Sequence, residues 1–493
     1  MDPSIKRELS KLDPTVPFRA SCDHLHHTWA KTFFAQPELY IQPRTISEIQ
    51  QIVVLASRCR RTLITVGSGH SPSDLTCTSS WMINLDDFNS ILEVDNNLVK
   101  VQAGIRIRTL GRELERHHLT LANLGSIDSQ SIAGALATGT HGSSLQHGLL
   151  SEYVESLSLV LPNGELVHCS GNSNPTLFRA ALLSLGAIGV VVEITLRAEN
   201  AFNVEWRKSK QKLSTALSMW SSGLWNSHDF IRVLWLPYER SAIIWQAEKT
   251  SRPVLRQDNQ MPSYIALCFY HSYQFALALA NIFPFILPWI EWGISGLQYG
   301  FGATSKTLTG VSPAREGLMM DPSYPQLVNE WALPLENGPQ AILRLSAWLH
   351  GDHQTAQIPF SSKGVWVNCA IEVRVVNTSI VTTPRPLLDP TCHDRPTLYL
   401  NATLYRPYLR DPPCTDQYYQ AFEYLMRELG GRPHWAKNFR SVASSELHKL
   451  YGKDMDQWVK IQKEVDPEGL FLSEWHYRNL PVTSGVKRPK SGE

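Results

Sequence analysis

The sequence predicts an α+β protein of two units, and three observations carry that prediction. Short apolar strands alternate with helices through residues 45–197, with glycine at the junctions. After Arg197 this punctuation stops and the chain becomes Trp-rich and less regular, which places a boundary near residue 200. The 493 residues, 43% hydrophobic and 18% charged, are enough for roughly two or three cored domains at ~150 residues each and exclude a mainly disordered chain. The two units are expected at 30–200 and 201–483.

Taken in order, Thr45-Ile46-Ser47-Glu48 reads as a capping box in which Glu48 reaches back to the Thr45 amide. Ile46, Ile49, Ile52, Val53 and Ala56 continue it at helical spacing. Residues 63–66 form a short apolar strand, and 81–85, 91–94 and 98–103 read as further strands. A short helix follows over 110–117. Residues 157–161 and 165–169 flank Pro162-Asn163-Gly164, a hairpin signal. Residues 177–185 are helical, Gly186 and Gly189 break them, and 190–196 is a strand. Beyond the boundary, strands are expected at 230–236, 342–348, 365–376 and 397–405. The tail after Thr483 is basic and expected to be loose.

Function classes narrow by exclusion. With 46 basic against 45 acidic residues the net charge is +1, which argues against a nucleic-acid partner held by bulk charge. The eight cysteines make no CxxC pair, so neither a zinc ribbon nor a thioredoxin motif is expected, and their scatter suits a reducing compartment. His24-Leu25-His26-His27 lacks a carboxylate or Cys at ligand spacing and reads as a polar turn, so no metal is expected. The first twenty residues carry Asp2, Glu8 and Asp13 and no apolar run, so no secretory or transit signal is expected and the chain is expected to begin in the cytosol. Residues 264–292 are unusually apolar and aromatic, and Asn281 is the one clearly polar residue in 275–290. Two readings stand for this stretch: a buried helical hairpin, or a membrane-seated segment with Trp289 and Trp292 at the interface. Pro284 and Pro288 disfavour a single spanning helix.

Three segments carry small residues where a backbone could approach a phosphate: Gly67-Ser68-Gly69-His70-Ser71-Pro72; Gly125-Ser126-Ile127 with Ser131 and Gly134; and Thr138-Gly139-Thr140-His141-Gly142. No GK[ST] follows, so this is no P-loop, and Pro72 stands where a Rossmann fingerprint needs its third glycine. A pyrophosphate cradle of another kind is the better inference.

These motifs resemble the PCMH-type FAD-binding domain of vanillyl-alcohol-oxidase-type flavoproteins. Together with Asn329-Glu330-Trp331, Ile371-Glu372-Val373-Arg374, His434-Trp435-Ala436-Lys437-Asn438 and Ser473-Glu474-Trp475-His476, they resemble the sugar-lactone oxidases, the fungal D-arabinono-1,4-lactone oxidases in particular. The resemblance implies an FAD-binding domain followed by an α+β lactone-oxidase cap domain. It implies FAD bonded covalently through His70, with Gly189 and Val190 joining the cradle and Gly125 leaving the flavin open to O2. It also implies a catalytic set of Glu372, Arg374, Lys437 and Ser126. By its period of two, the strand over 365–376 puts Glu372 and Arg374 on one face. The implied reaction is oxidation of an aldono-1,4-lactone at C2, giving an ascorbate-type ene-diol and hydrogen peroxide. The implied address is a mitochondrial or other intracellular membrane. An alditol or other carbohydrate oxidase, a dehydrogenase passing electrons to cytochrome c, and a membrane-seated flavin-binding protein without turnover stay open beside it.

Overall fold

The computed structural model describes residues 2–255, 263–301, 306–320 and 324–483; the tail after Thr483 lies outside the described residues. The first unit carries two main sheets beside two small two-stranded ones. One has four strands, Ala20–Ser21, Leu39–Ile41, Trp81–Asn84 and Leu63–Val66, the last three running parallel. The other is antiparallel, in the order Leu166–Ser170, Val154–Val160, Val190–Arg197, Leu98–Gln102 and Ile91–Asp95. Val190–Arg197 buries every second residue, as its alternation of apolar and other side chains demands. The helix Ile46–Arg58 buries Ile49, Ile52, Val53 and Ala56. Its cap is half of the one expected. The Thr45 side chain accepts from the Glu48 amide, but the Glu48 carboxylate accepts from the Arg44 amide instead of that of Thr45. Arg19 also reaches this carboxylate, at 3.3 Å, and draws it off the cap.

Among the described residues, the second unit is an eight-stranded sheet in the order Leu308–Pro313, Asn203–Lys212, Ser241–Thr250, Phe230–Leu236, Ile371–Val376, Thr397–Tyr405, Gln326–Pro334 and Arg432–Pro433. The strand expected at 342–348 is instead the helix Gly338–Leu349. Its buried residues Ala341, Ile342, Leu345 and Trp348 recur every three or four positions, and that period overrides the strand propensity of Ile and Trp. The strand expected over 365–376 is regular only at Ile371–Val376. Ahead of it the Asn368 side chain replaces backbone pairing by bonding both the N–H and the C=O of Tyr405. The chain finally returns to the first unit. The Leu63 amide donates to the Leu470 carbonyl, and Arg478 pairs with Asp74 at 2.7 Å.

The apolar stretch at 264–292 forms a helical hairpin, Ser263–Ala280 and Leu287–Tyr299, but the expectation that it is buried fails. Among the described residues an inner side is covered, Gln274, Leu277 and Ala280 on the first helix and Leu287, Ser295 and Tyr299 on the second. Phe275 (64% exposed), Ile282 (70%), Phe285 (63%) and Trp289 (71%) face outward. Among the described residues neither helix has a second neighbouring layer to cover its outer side, and sequence hydrophobicity cannot report that. Among the described residues no helix is long and apolar enough to cross a membrane.

Candidate active site

Two cavities meet at His70, Ser71 and Gln130. The first is a cleft in the glycine-punctuated unit, lined by 67–71, Ser131, Gly134, Thr138 and Gly189. The second is a chamber of about 450 Å³ between the units, bordered by Gly125, Ser126, Thr140, His141, Glu372, Arg374 and Lys437.

The cleft suits a long, phosphate-bearing cofactor. Its loop needs glycine where it turns: Gly69 takes a positive φ of 67°, and a Cβ there would stand 3.2 Å from the His27 carbonyl, while a Cβ at Gly67 would press on the Ser131 side chain. That Ser131 hydroxyl caps the helix Ile132–Ala137 by accepting from the Gly134 amide. His70 sits where cleft and chamber join. Its ring stacks on Trp29, and Nε2 lies 2.6 Å from Ser129 Oγ. Nδ1 is buried with no hydrogen-bond partner among the described residues. Burial, then the charges of Arg106 and Lys437, push the imidazole down to about 4, so the ring is neutral at pH 7. An orphaned nitrogen on a neutral imidazole, on a residue that borders both cavities, fits a group that bonds there.

The chamber's floor is one face of the eight-stranded sheet. Glu372 is directly opposite Leu234 on one side and Asn401 on the other, and Asn401 is in turn opposite Glu330. Cross-strand partners share a face, so these four side chains form a row. Arg374 and its partner Tyr399 make the next row. Arg374 is buried and donates two hydrogen bonds, Nη2 to Glu330 Oε1 at 2.5 Å and Nη1 to Ser126 Oγ at 3.5 Å, while Nε forms an ion pair with Glu372 Oε2 at 3.5 Å without a hydrogen bond. The buried Arg232 also donates to Ser126 Oγ, at 3.4 Å. Lys437 Nζ lies 3.4 Å from the other oxygen of Glu330. His141 stacks on Tyr399 at 3.6 Å, and its Nε2 is 3.6 Å from Glu330 Oε1.

Charge is fixed firmly in this group. Burial opposes ionisation of Glu330, but Arg374 and Lys437 outweigh it and hold the carboxyl well below the usual range. Burial likewise opposes the Arg374 charge, and Glu330 and Glu372 overcome it, so the guanidinium is held above its ordinary value. Arg232, buried with less compensation, is lowered to about 10 and stays charged at pH 7. Burial, reinforced by Arg374, lowers His141 to about 4, and His434 is pushed down by burial as well, so both are neutral. Amide and hydroxyl groups of Gln298, Gln326, Asn401 and Thr403 complete the wall. Such a chamber can bind a small polyhydroxylated molecule and stabilise negative charge developing on its oxygen.

Four residues assigned to the cradle border neither cavity. Pro72 is a bracket between units, its carbonyl accepting from Asn438 Nδ2 at 2.9 Å. Gly139 packs under Leu183, Gly142 packs against the Asn123 side chain, and Val190 is wholly buried, leaving Val191 to face the cleft. Gly125, Thr140 and His141 sit on the chamber, apart from the cleft lined by Gly67, Ser68, Gly69, Ser131, Gly134, Thr138 and Gly189. Three functional groups carried no assignment from sequence: Glu330, Arg232 and His434. Glu330 and His434 stand inside motifs quoted above, but their shared position depends on strand register. His141, Glu330 and His434 place their ligating atoms within 4.8 Å of one another, yet Arg374 and Lys437 already neutralise the same carboxylate.

The comparisons with known proteins agree with this geometry. The family described as D-arabinono-1,4-lactone oxidase matches residues 194–479, and the one described as FAD binding domain matches 37–170. A protein of Neurospora crassa named putative D-arabinono-1,4-lactone oxidase is 46% identical, covering 97% of this chain and 90% of its own. The D-arabinono-1,4-lactone oxidases of Yarrowia lipolytica and Saccharomyces cerevisiae are 37% and 33% identical. They cover 92% and 96% of this chain, and 97% and 99% of their own. A crystal structure of cholesterol oxidase from B. sterolicum superposes with a TM-score of 0.75 over 95% of this chain and 99% of that one; at 17% identity this likeness concerns the fold. The chain belongs to the D-arabinono-1,4-lactone oxidase family and is an FAD-dependent oxidoreductase.

Proposed function

We propose that this chain oxidises D-arabinono-1,4-lactone at its C2 hydroxyl with O2 as acceptor, on an FAD attached through His70. The carrying observation is that Glu372, Arg374, Ser126, Lys437 and His70 border one chamber. When bound, FAD supplies a two-electron acceptor that O2 regenerates, releasing hydrogen peroxide. Arg374 binds a lactone oxygen and stabilises the charge that builds on the C2 oxygen as its proton leaves. Glu372, two residues before it on the same face, receives that proton or orients the hydroxyl. Ser126, fixed by two guanidiniums, and Lys437 complete the grip on the hydroxyls. Loss of C2–H and O–H gives the 2-keto lactone, which enolises to the conjugated ene-diol, D-erythroascorbate. Gly125 borders the chamber and leaves the site open to O2; a Cβ there would press on Thr140 Cγ2 at 2.7 Å.

The test is spectroscopic. Under argon, D-arabinono-1,4-lactone bleaches the flavin absorbance, and admitting air restores it with one equivalent of peroxide. A spectrum unmoved by the lactone but bleached by open-chain polyols would make this an alditol oxidase. Bleaching that only cytochrome c reverses would make it a dehydrogenase.

The hairpin carries a second element of the proposal: it docks on a lipid surface, by the resemblance a mitochondrial membrane. From Tyr264 to Phe301 the one charged residue is Glu291, and it hydrogen-bonds inward to the Glu239 amide. A protein partner would be expected to meet a polar rim, whereas this face presents large apolar groups on both helices and the turn, with Trp289 and Trp292 both half or more exposed. Each such side chain removed from water contributes about 1.5–3 kcal/mol. The parent protein is expected to float with phosphatidylcholine vesicles, and the Phe285→Ser/Trp289→Ser/Trp292→Ser variant to stay in the aqueous fraction with activity intact. Equal flotation of both would remove the hairpin from this role.

A further inference from the structure

We infer that Glu330 is a positioning residue for the oxidation, its carboxylate setting where the Arg374 guanidinium and the Lys437 ammonium stand in the chamber. The inference rests on the reading that those two cations face the substrate. Glu330 is fully buried and does not border the chamber, so it acts through its partners. A carboxylate in such a place is tolerated only when paired. Its two oxygens are divided between cations from separate segments. Oε1 takes Arg374, from the strand Ile371–Val376, and Oε2 faces Lys437, from the loop after Arg432–Pro433. His141 of the first unit approaches the same carboxylate at 3.6 Å. Three segments are thus registered on one group.

Glu330 also sets the balance at the proton acceptor. Arg374 has two carboxylate partners, Glu330 at 2.5 Å and Glu372 at 3.5 Å. With the charge of Glu330 in place the guanidinium leans toward it, and the Glu372 carboxylate is left to meet the substrate hydroxyl. Remove that charge and Arg374 turns to Glu372, the two cations repel without their shared counter-ion, and the acceptor is engaged before substrate arrives. A metal held by His141, Glu330 and His434 is the rival use of these groups. The two cations on the same carboxylate favour the counter-ion role.

The test uses the FAD-loaded protein with isosteric Glu330→Gln, charge-conserving Glu330→Asp, and Arg374→Met alone and combined with Glu330→Gln. Glu330→Gln is expected to keep the flavin and to lower kcat about 30- to 100-fold with KM within about threefold, the pattern of an interaction felt mainly in the transition state. Glu330→Asp is expected to recover at least a third of the loss on a logarithmic scale. In the Arg374→Met background, Glu330→Gln is expected to cost less than about threefold and to raise the melting temperature, because it removes a buried charge that has lost its main partner. A kcat for Glu330→Gln within threefold of the parent, while Arg374→Met is crippled, overturns the positioning role. So does an equal loss in both backgrounds, which is what a merely structural residue gives. Should Glu330→Gln not take up FAD, the Asp variant decides: activity below one hundredth of the parent in a folded, flavin-loaded protein overturns the role, and recovery above a tenth supports it. Near-parent activity of Arg374→Met overturns the chamber reading itself. Stoichiometric metal that is needed for turnover would replace the counter-ion role.

Discussion

Arg374→Ala is expected to retain FAD and lower kcat/KM at least about 10³-fold. A single preorganised donor at a developing oxyanion is worth about 10²–10³ in rate, and this guanidinium does more than donate. It links the buried Glu330 with the half-buried Glu372 and Ser126. Its removal leaves Glu330 to Lys437 alone, so some thermal stability goes with it, by the 3–5 kcal/mol order of a broken buried pair. Arg374→Lys separates the two effects. It returns a charge for Glu330 and so most of the stability, but a point charge cannot reproduce three directed contacts, and turnover stays at least about 10²-fold down. Stopped-flow flavin reduction with the lactone under argon measures the step directly. A variant reduced at near-parent rate would falsify the role given to Arg374.

His70→Ala is expected to abolish the covalent flavin outright. In the parent, yellow fluorescence should travel with the polypeptide on a denaturing gel and survive acid precipitation; in the variant all of it should be released. The basis is the ring's situation: Nε2 engaged by Ser129, Nδ1 buried and unpartnered, and the proton kept off by burial with Arg106 and Lys437 nearby. A neutral ring held by one nitrogen presents the other as a nucleophile. The remaining cleft contacts are expected to keep FAD bound noncovalently, with kcat lowered about tenfold because the lost bond makes the flavin a weaker oxidant. Fluorescence that stays with the His70→Ala chain would move the attachment elsewhere. Fluorescence absent from the parent as well would leave FAD dissociable and His70 as a lining residue.

Much of the site was legible because its motifs are local. The 67–71 loop works through consecutive backbone and side chains, and a period of two is enough to put Glu372 and Arg374 on one face. The strands Phe230–Leu236 and Thr397–Tyr405 fall at their expected limits, since β-branched and aromatic side chains crowd there between turns. Gly338–Leu349 was misread because a short apolar run has both periods available until something packs against one of them.

By itself, then, the sequence determined the α+β class, the glycine loops that line the cleft, the histidine between the cavities and the Glu-x-Arg pair. Each depends on neighbours along the chain. Tertiary structure alone decided which strands lie side by side. That register sets Glu330 in one row with Asn401 and Glu372, and brings Arg232 to Ser126 from 106 residues away. It also decided that the apolar hairpin leaves its outer side uncovered, because burial belongs to whatever packs against a surface, and among the described residues only the inner side, with Leu277, Ala280, Leu287 and Tyr299, is packed against the rest of the fold.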